Sequence, residues 1–365
     1  MRKGWEYKSF ETCINKLPKP KQVKTSEYSS GTKYPIISQE DKLISGYYDD
    51  ESYVFHIDSP IVIFGDHTRV LKYVDFDFVV GADGVKIISP KRELNAKFLL
   101  YYLQWYKIPN LGYSRHYKLL KEIKIPLPPK STQLAIVSEL DKINELIRLK
   151  KEQLKDFDNL AQSLFYEMFG DPVENEKGWE VKKLGEIAKS AIGLTYKPEN
   201  VTEELSGTVV LRSSNIQNSI LDFNDIVRVN VLVKEDKMVN DGDILMCSRN
   251  GSFRLVGKVA LIKGLKERMS YGAFMTIIRS PYNPYLFEYF KTPAFRQYLI
   301  AGKTTTVNQI TVKMLNNLTL PLPPLSLQRL FAQRIEQIER EKSEVQKSIQ
   351  DLETLLASRM QYWFE

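Results

Sequence analysis

The sequence is poor in the residues that disulfide frameworks and metal sites require. Only two cysteines and three histidines occur among its 365 residues. Two cysteines exclude a disulfide framework, so Cys13 and Cys247 are interpreted as ordinary semi-buried residues. His56, His67 and His116 do not stand at metal-ligand spacing from these cysteines, so no zinc site is expected.

Long apolar runs are also absent from the sequence. No stretch approaches the roughly 18–20 apolar residues that a membrane-spanning helix needs. Residues 1–6 begin no apolar signal segment. We therefore expect a cytoplasmic protein, and the hydrophobic content of 43% suits two or three globular domains with proper cores.

Sequence motifs for nucleotide or methyl-donor binding are incomplete. Residues 302–304 read Gly-Lys-Thr, the end of a phosphate-binding loop, but the position of the required earlier glycine holds Gln297. Residues 283–285 read Asn-Pro-Tyr, one proline short of the Asn-Pro-Pro-Tyr loop that positions an exocyclic amine for methylation. No Gly-x-Gly motif for a methyl-donor cofactor is present. We therefore expect no cofactor and no catalytic residue in this chain.

A segment without proline or glycine, residues 130–169, is the dominant feature of the sequence. Mostly apolar residues recur in it at alternating steps of four and three, which is a heptad pattern sustained over more than four heptads. About 1.5 Å per residue makes this a helix on the order of 55–60 Å long, and its single apolar stripe needs a partner. The stripe consists of Ile136, Leu140, Ile143, Ile147, Lys150, Leu154, Phe157, Ala161, Leu164 and Met168.

The same pattern returns near the end of the sequence. Residues 320–324 repeat the proline-rich opening of residues 125–129, and Gln328 repeats Gln133. Amphipathicity does not require the shared prolines and glutamine, so we interpret the repeat as two copies of one module rather than two unrelated amphipathic helices. The matching stripe consists of Phe331, Ile335, Ile338, Lys342, Val345, Ile349, Leu352, Leu356, Arg359 and Trp363.

The repeat predicts four segments. They are a globular domain at residues 1–130, a central spacer helix at 131–170, a second globular domain at 171–325 and a C-terminal spacer helix at 326–365. Many short runs of β-branched and aromatic residues predict small, twisted α/β domains, with helices over residues 95–106 and 285–300. The predicted fold class is mixed α/β, in which two long antiparallel coiled-coil helices separate the two globular domains in a pseudo-twofold repeat.

The positive charge of the chain lies outside the two predicted helices. Residues 131–169 carry five Lys or Arg against seven Asp or Glu, and residues 326–365 carry six against seven. The formal net charge of +7 therefore comes from the globular segments. This distribution is expected if the globular segments meet a polyanion and the helices meet protein, although charge for solubility alone is the alternative.

Polar loops that follow predicted strands are the candidate binding residues. Arg can read guanine through two hydrogen bonds in the major groove, and Asn can read adenine. Residues 304–306, three threonines, add hydroxyl groups to the second domain. Solvation or pairing is the alternative for any one of these side chains, so the prediction depends on their matching places in two modules. The set is Arg249, Asn250, Ser252, Asn308 and Gln309 in the second domain, and Tyr47, His67, Arg69, Arg115 and Lys118 in the first.

Taken together, the repeated Pro-Leu-Pro-Pro-x-x-x-Gln pattern, the long helix after each copy and the Gly-Trp-Glu at residues 178–180 resemble the specificity subunit of a type I restriction–modification system. The resemblance covers essentially the whole chain. It implies a non-catalytic subunit that reads an asymmetric, two-part DNA target with one target-recognition domain per half. It also implies double-stranded DNA, two methylation subunits and restriction or motor subunits as partners, with S-adenosylmethionine, ATP and Mg²⁺ held by those subunits. Base-reading residues are not fixed in this family, so the candidate residues rest on position alone.

Two other functions remain open at this point. One is a coiled-coil adaptor whose globular ends bind proteins, and the other is the specificity subunit of a related type II restriction system. Salt separates the first from DNA binding, because DNA affinity falls steeply as the salt concentration rises.

Overall fold

The computed structural model describes the chain in five ranges, which are residues 4–31, 33–81, 84–112, 114–302 and 308–365. The chain divides into two compact units. Unit 1 comprises Met1–Gln153 and Val345–Glu365, and unit 2 comprises Leu154–Glu344.

The strands of unit 1 form a two-stranded sheet (β1-β9), a three-stranded sheet (β6-β5-β8) and a four-stranded sheet (β3-β2-β7-β4). The strands are β1 (Glu6–Ser9), β2 (Tyr34–Ile37), β3 (Gly46–Tyr48), β4 (Val54–Phe55), β5 (Ile61–Gly65), β6 (Leu71–Val74), β7 (Phe78–Val80), β8 (Val85–Ile88) and β9 (Lys124–Leu127). The short helices are α1 (Phe10–Cys13), α2 (Ala96–Tyr106) and α3 (Tyr117–Lys121), and the long helix α4 (Lys130–Phe169) follows them.

Unit 2 repeats the two-stranded sheet as β10-β21 and contains two four-stranded sheets, β11-β20-β17-β18 and β12-β16-β13-β19, with the pair β14-β15 beside them. The strands are β10 (Glu180–Lys183), β11 (Lys189–Ile192), β12 (Val201–Thr202), β13 (Thr208–Leu211), β14 (Ile216–Gln217), β15 (Ile220–Leu221), β16 (Arg228–Val229), β17 (Ile244–Cys247), β18 (Val259–Leu261), β19 (Met269–Tyr271), β20 (Met275–Arg279) and β21 (Thr319–Leu322). The helices are α5 (Leu184–Ile187), α6 (Asn283–Tyr289), α7 (Pro293–Ala301) and α8 (Val312–Asn317). The long helix α9 (Leu325–Phe364) begins in unit 2, and its residues from Val345 onward belong to unit 1, just as the residues of α4 from Leu154 onward belong to unit 2.

The repeated Gly-Trp-Glu motif begins the first strand of each unit. Gly4 (φ +89°) and Gly178 (φ +67°) adopt the left-handed backbone conformation that glycine reaches without steric cost. Strand β1 then pairs antiparallel with β9, and β10 pairs with β21, which places Pro126 and Pro321 at matching positions. Proline is tolerated in these two-stranded sheets because its missing N–H can face away from the partner strand.

The two predicted long helices are observed, and each is 40 residues long. Every residue of the two predicted stripes is buried or half-buried. By contrast, Leu134, Leu146, Leu149 and Leu160 lie off the stripe of α4 and are exposed. The heptad pattern therefore identified the packed face of each helix. Among the described residues, no helix is both long and apolar enough to cross a membrane.

The two long helices run antiparallel within each unit. In unit 1, Lys151 of α4 lies 2.8 Å from Glu353 of α9, and Glu139 accepts hydrogen bonds from Arg359. In unit 2, the Asp158 carboxylate lies 2.8 Å from the Lys342 ammonium. Residue numbers rise along one helix as they fall along the other. Stripe residues of both helices share a core in each unit, such as Leu140 with Leu356 in unit 1 and Leu164 with Phe331 in unit 2.

A terminal phenylalanine fixes the end of each long helix in an aromatic cluster. The ring centroid of Phe169, at the end of α4, lies 5.0 Å from Tyr285 and 4.9 Å from Phe331 in the core of unit 2. Phe364, at the end of α9, lies 5.5 Å from Phe98 and 5.6 Å from Tyr102 in the core of unit 1. Both phenylalanines are buried.

The prediction of one continuous helix over residues 285–300 was wrong. The structure has two helices here, α6 and α7, with a break before Pro293. A proline inside a helix lacks the N–H for the intrahelical hydrogen bond and clashes with the preceding turn, but it fits the first helical position. Thr292 caps α7 by accepting a hydrogen bond from the N–H of Phe295.

Candidate nucleic-acid interface

Unit 2 contains a cleft of about 1070 Å³ beside the ends of its β-strands. Several polar side chains line this cleft together with one exposed aromatic ring, and three predicted residues are among them. The lining residues are Leu194, Thr195, Tyr196, Pro198, Val201, Arg212, Ser213, Ser214, Arg249, Asn250, Gly251, Gly272, Ala273, Phe274, Met275 and Asn308.

Arg249 is the most available cation of this cleft. Its guanidinium carbon lies 5.1 Å from the centroid of the Phe274 ring, and its side chain is exposed. Among the described residues no carboxylate lies within ion-pair distance of it, whereas Arg212, also in the cleft, forms an ion pair with Asp225 at 2.7 Å. A guanidinium that lies over an aromatic ring without a carboxylate partner retains its hydrogen-bond donors for an external acceptor.

Asn250 and Asn308 stabilise the loop that carries Arg249. The Asn250 side-chain N–H donates to the Ser213 hydroxyl at 3.1 Å, and its side-chain oxygen accepts from the N–H of Ser252 at 3.0 Å. The Asn308 side-chain N–H donates to the Gly251 carbonyl at 2.9 Å. These bonds use much of the hydrogen-bonding capacity that would otherwise reach a base.

The other predicted residues of unit 2 are exposed around the same loop. Gln309 forms an antiparallel β-bridge with Arg249, so its exposed side chain lies beside that arginine. Ser252 is exposed at the turn that Asn250 closes. The predicted threonines at 304–306 lie outside the described residues.

In unit 1, the turn after β5 is joined to the segment before α3. The Asp66 carbonyl accepts hydrogen bonds from the backbone N–H of His116 and from its ring Nδ1–H, both at 2.9 Å. The Asp66 carboxylate accepts from the N–H of Tyr117 at 2.7 Å. Residues 66–69 therefore lie beside residues 115–118, and this contact brings four of the five predicted residues of unit 1 together.

These four residues differ in their environment. Arg69 adopts a left-handed conformation (φ +62°) and donates to the Ile108 carbonyl at 3.2 Å. The backbone N–H of His67 donates to the Gln39 side-chain oxygen at 3.3 Å. Arg115 and Lys118 are exposed.

Tyr47, the fifth predicted residue of unit 1, belongs to a different sheet. It is half-buried in β3 of the four-stranded sheet. The Tyr47 carbonyl accepts a hydrogen bond from the N–H of Ser29 at 3.0 Å, and the N–H of Tyr47 donates to the Ser29 carbonyl at 3.2 Å.

Matching backbone hydrogen bonds show which residues correspond between the units. The Ser248 carbonyl accepts the N–H of Ile310 at 2.7 Å, as the Asp66 carbonyl accepts that of His116. The residue after Ser248 is Arg249 and the residue before Ile310 is Gln309, so their counterparts in unit 1 are His67 and Arg115. The same position of the frame thus carries different side chains in the two units.

Two lysines near these loops are not available to a ligand. Lys72, buried in β6, donates to the Ser38 carbonyl at 2.9 Å. Lys258 donates to the Ile216 carbonyl at 2.9 Å. Burial lowers the pKa of both ammonium groups, since the charged form is poorly solvated there.

Sequence reasoning missed Phe274, Arg212 and Tyr196 of the cleft. Arg212 carried a usable signal, because it follows an apolar strand directly, much as Arg249 does. Phe274 carried none, because an exposed aromatic residue in a turn is not distinguishable in sequence from a core residue. Among the described residues, no group of acidic, histidine and cysteine side chains is arranged to hold a metal ion.

The family model of the type I restriction modification DNA specificity domain matches residues 3–156 and 176–354. The chain belongs to this family. Its two matched segments correspond to the two copies of the module seen in the sequence and in the hydrogen-bond frame.

Curated members of this family show moderate sequence similarity to the chain. The EcoKI specificity subunit of Escherichia coli strain K12 is 27% identical over 167 residues, which cover 44% of this chain and 36% of that protein. The putative MjaX specificity subunit of Methanocaldococcus jannaschii is 24% identical over 322 residues, covering 77% of this chain and 72% of that protein. The alignment with the E. coli protein thus spans little more than a third of its length.

Solved structures support the fold. A chain from a study of complex assembly and conformational transition of the type I R-M system matches 100% of this chain and 98% of its own length, with a TM-score of 0.60 and 19% identity. The S subunit of a type I restriction-modification system from M. genitalium matches 98% and 95%, with a TM-score of 0.56 and 15% identity. The predicted fold class, two mixed α/β domains with two long helices, is confirmed.

Proposed function

We propose that this protein is the sequence-specific DNA-binding specificity subunit of a type I restriction–modification complex, acting in the cytoplasm. Its recognition domains are residues 1–130 and 171–325, and its spacer helices are residues 131–170 and 326–365. Each recognition domain reads one half of an asymmetric, two-part target. The chain itself performs no reaction step.

The observation that carries this proposal is the pairing of a common backbone frame with unlike side chains. The same backbone hydrogen bonds present Arg249 and Gln309 in unit 2 and His67 and Arg115 in unit 1. Arginine and glutamine are side chains that read guanine and adenine in the major groove. Because the two sets differ, the two half-sites are expected to differ as well.

The partners of this subunit follow from its surface. The long helices are close to neutral, and Leu146 and Leu149 of α4 are 48% and 46% exposed outside the packed stripe. Exposed apolar residues on a rigid helix fit a protein partner better than DNA. We assign these helices to two methylation subunits, with restriction or motor subunits joining the same complex. S-adenosylmethionine, ATP and Mg²⁺ belong to those partner subunits, and this chain holds no cofactor.

The proposal is tested by assembling the chain with methylation subunits and sequencing the methylated sites of a host genome. We expect one two-part motif whose halves differ. Binding of the complex to duplexes that carry this motif should weaken steeply with salt, with a slope of about −0.9 per phosphate contacted. Methylation without any motif, or binding that is insensitive to salt, would favour a coiled-coil adaptor instead. A motif obtained only with a fused nuclease–methyltransferase partner would favour the related type II system.

A further inference from the structure

We infer that Arg249 reads a guanine in the half-site recognised by unit 2, and that Phe274 is the positioning residue that holds its guanidinium. This inference rests on the proposed function, because it names the base and the residue through which unit 2 would recognise DNA. It is carried by three features of the loop around Arg249, namely the anchored backbone, the contact of the guanidinium with an aromatic ring, and the neighbouring amide.

The backbones of Arg249 and Phe274 are joined directly. The Phe274 carbonyl accepts hydrogen bonds from the N–H of Ser248 at 2.9 Å, from the N–H of Arg249 at 3.1 Å and from the Ser248 hydroxyl at 3.0 Å. On its other side, Ser248 accepts the N–H of Ile310. The arginine therefore starts from a backbone that is held on both sides.

The side chain of Arg249 contacts an aromatic ring, and among the described residues no carboxylate neutralises it. Its guanidinium carbon lies over the Phe274 ring, 5.1 Å from the ring centroid, and 57% of Phe274 is exposed. Two other arginines of unit 2 are occupied, because Arg228 and Arg279 form ion pairs with Glu267 and Asp243 at 2.8 and 2.6 Å. Contact with the ring restricts the guanidinium, and its N–H groups form no hydrogen bond with another described residue. A fork of free donors suits an acceptor that offers two neighbouring atoms.

Guanine is the base that matches this arrangement. Its O6 and N7 atoms are neighbouring acceptors in the major groove, and arginine binds both at once. A phosphate group also accepts two hydrogen bonds from an arginine, so the feature that distinguishes the two ligands is the neighbouring amide. The exposed amide of Gln309, across the β-bridge from Arg249, adds a second donor and acceptor next to it. An amide beside a guanidinium is chemistry for base edges, because a phosphate offers only acceptors.

The experiment compares the methylation motifs of the assembled complex for the wild type, R249A and R249K. We expect both variants to lose the preference for one guanine in one half-site by about 5- to 150-fold, while the other half-site is unchanged. R249K keeps the charge but not the two-pronged geometry, so its salt dependence should equal that of the wild type. R249K also tests the inference if R249A fails to assemble.

Two further variants separate positioning from charge. F274A should relax the preference at the same guanine, and F274Y should restore it because tyrosine offers an equivalent ring face. The matched control is R254A, which removes an exposed arginine in the 3-10 helix Phe253–Leu255 of the same loop. It should keep the motif intact, with at most an even loss of affinity for all duplexes.

The outcomes distinguish this inference from the proposed function. An unchanged motif in R249A with a shallower salt slope would mean that Arg249 contacts phosphate, and it would overturn the inference while the proposed function stands. A changed motif in R254A would place the reader elsewhere in the loop and would also overturn it. A wild-type complex without a two-part motif would overturn both.

Discussion

The two units share a hydrogen-bonded frame but differ in the loop that it supports. At the base of this loop in unit 1, the N–H of Gly65 donates to the Val70 carbonyl at 2.8 Å. In unit 2, the N–H of Cys247 donates to the Lys258 carbonyl at 2.9 Å. The first loop contains only residues 66–69, whereas the second contains residues 248–257 and a turn of 3-10 helix. The base of the loop is thus the same while its length and side chains vary.

This difference explains how one frame can present two different sets of side chains. In unit 1 the short loop forces Arg69 into a left-handed conformation and ties its guanidinium to a carbonyl. In unit 2 the side-chain amides of Asn250 and Asn308 stabilise the longer loop, and Arg249 stays exposed over the Phe274 ring. Loop length therefore affects which side chains are used internally and which remain available to a ligand.

The largest effect is expected from removing the phenylalanine that each unit receives from a long helix. F169A and F364A should each destabilise their own unit by about 3–5 kcal/mol, because a buried aromatic ring leaves a cavity in its cluster. Hydrogen exchange should accelerate in α6 for F169A and in α2 for F364A. L160A, at an exposed position of α4, is the control and should leave exchange nearly unchanged. Faster exchange in the other unit instead would contradict the separation of the two cores.

The repeated glutamines, Gln133 and Gln328, form different hydrogen bonds in the two units. The Gln133 side chain donates to the Glu93 and Pro128 carbonyls, both at 2.9 Å, and accepts the N–H of Asn95 at 2.8 Å. Gln328 donates to the Pro323 carbonyl at 2.7 Å, but its buried oxygen has no hydrogen-bond partner among the described residues.

Replacing these glutamines by methionine should therefore have unequal effects. Q133M should cost about 1–3 kcal/mol, because it leaves buried backbone groups without partners. Q328M should cost less, since it also removes an unsatisfied buried oxygen. Local hydrogen exchange at the start of each long helix measures both effects. Equal losses would show that the two glutamines play the same part.

The smallest effect is expected from replacing Glu139, a carboxylate of α4 in unit 1. The Arg359 hydrogen bond lowers the pKa of Glu139, a second bond from the Trp363 indole N–H at 3.0 Å lowers it further, and partial burial opposes both. A carboxylate with a lowered folded-state pKa stabilises the protein above its unfolded pKa, near 4.3, and loses that contribution as the pH falls through the folded value.

E139Q should therefore lower the melting temperature at neutral pH by about 1–2 °C. The difference from the wild type should shrink as the pH falls below about 4. Melting curves at several pH values measure it, and a difference that persists at low pH would show that packing rather than charge is responsible.

Sequence reasoning predicted the frame well, whereas the candidate binding residues stay a prediction. The heptad stripes, the proline-rich strands and the Gly-Trp-Glu turns all depend on local periodicity or on a single backbone conformation, and the structure contains each of them. The break at Pro293 was missed because the apolar pattern of α6 continues into α7. Of the loop residues, Asn250 and Arg249 looked alike in sequence, since both are polar and follow the same strand.

The amino-acid sequence by itself determined that two copies of one module exist, that each ends in a long helix and that these helices need each other. These properties follow from the order and spacing of apolar residues, which fix the face of a helix before any long-range contact forms. Only the tertiary structure decided that Asn250 and Asn308 stabilise a loop while Arg249 stays available on Phe274. The hydrogen-bond partner of a loop side chain comes from a distant part of the chain, so no local pattern records it.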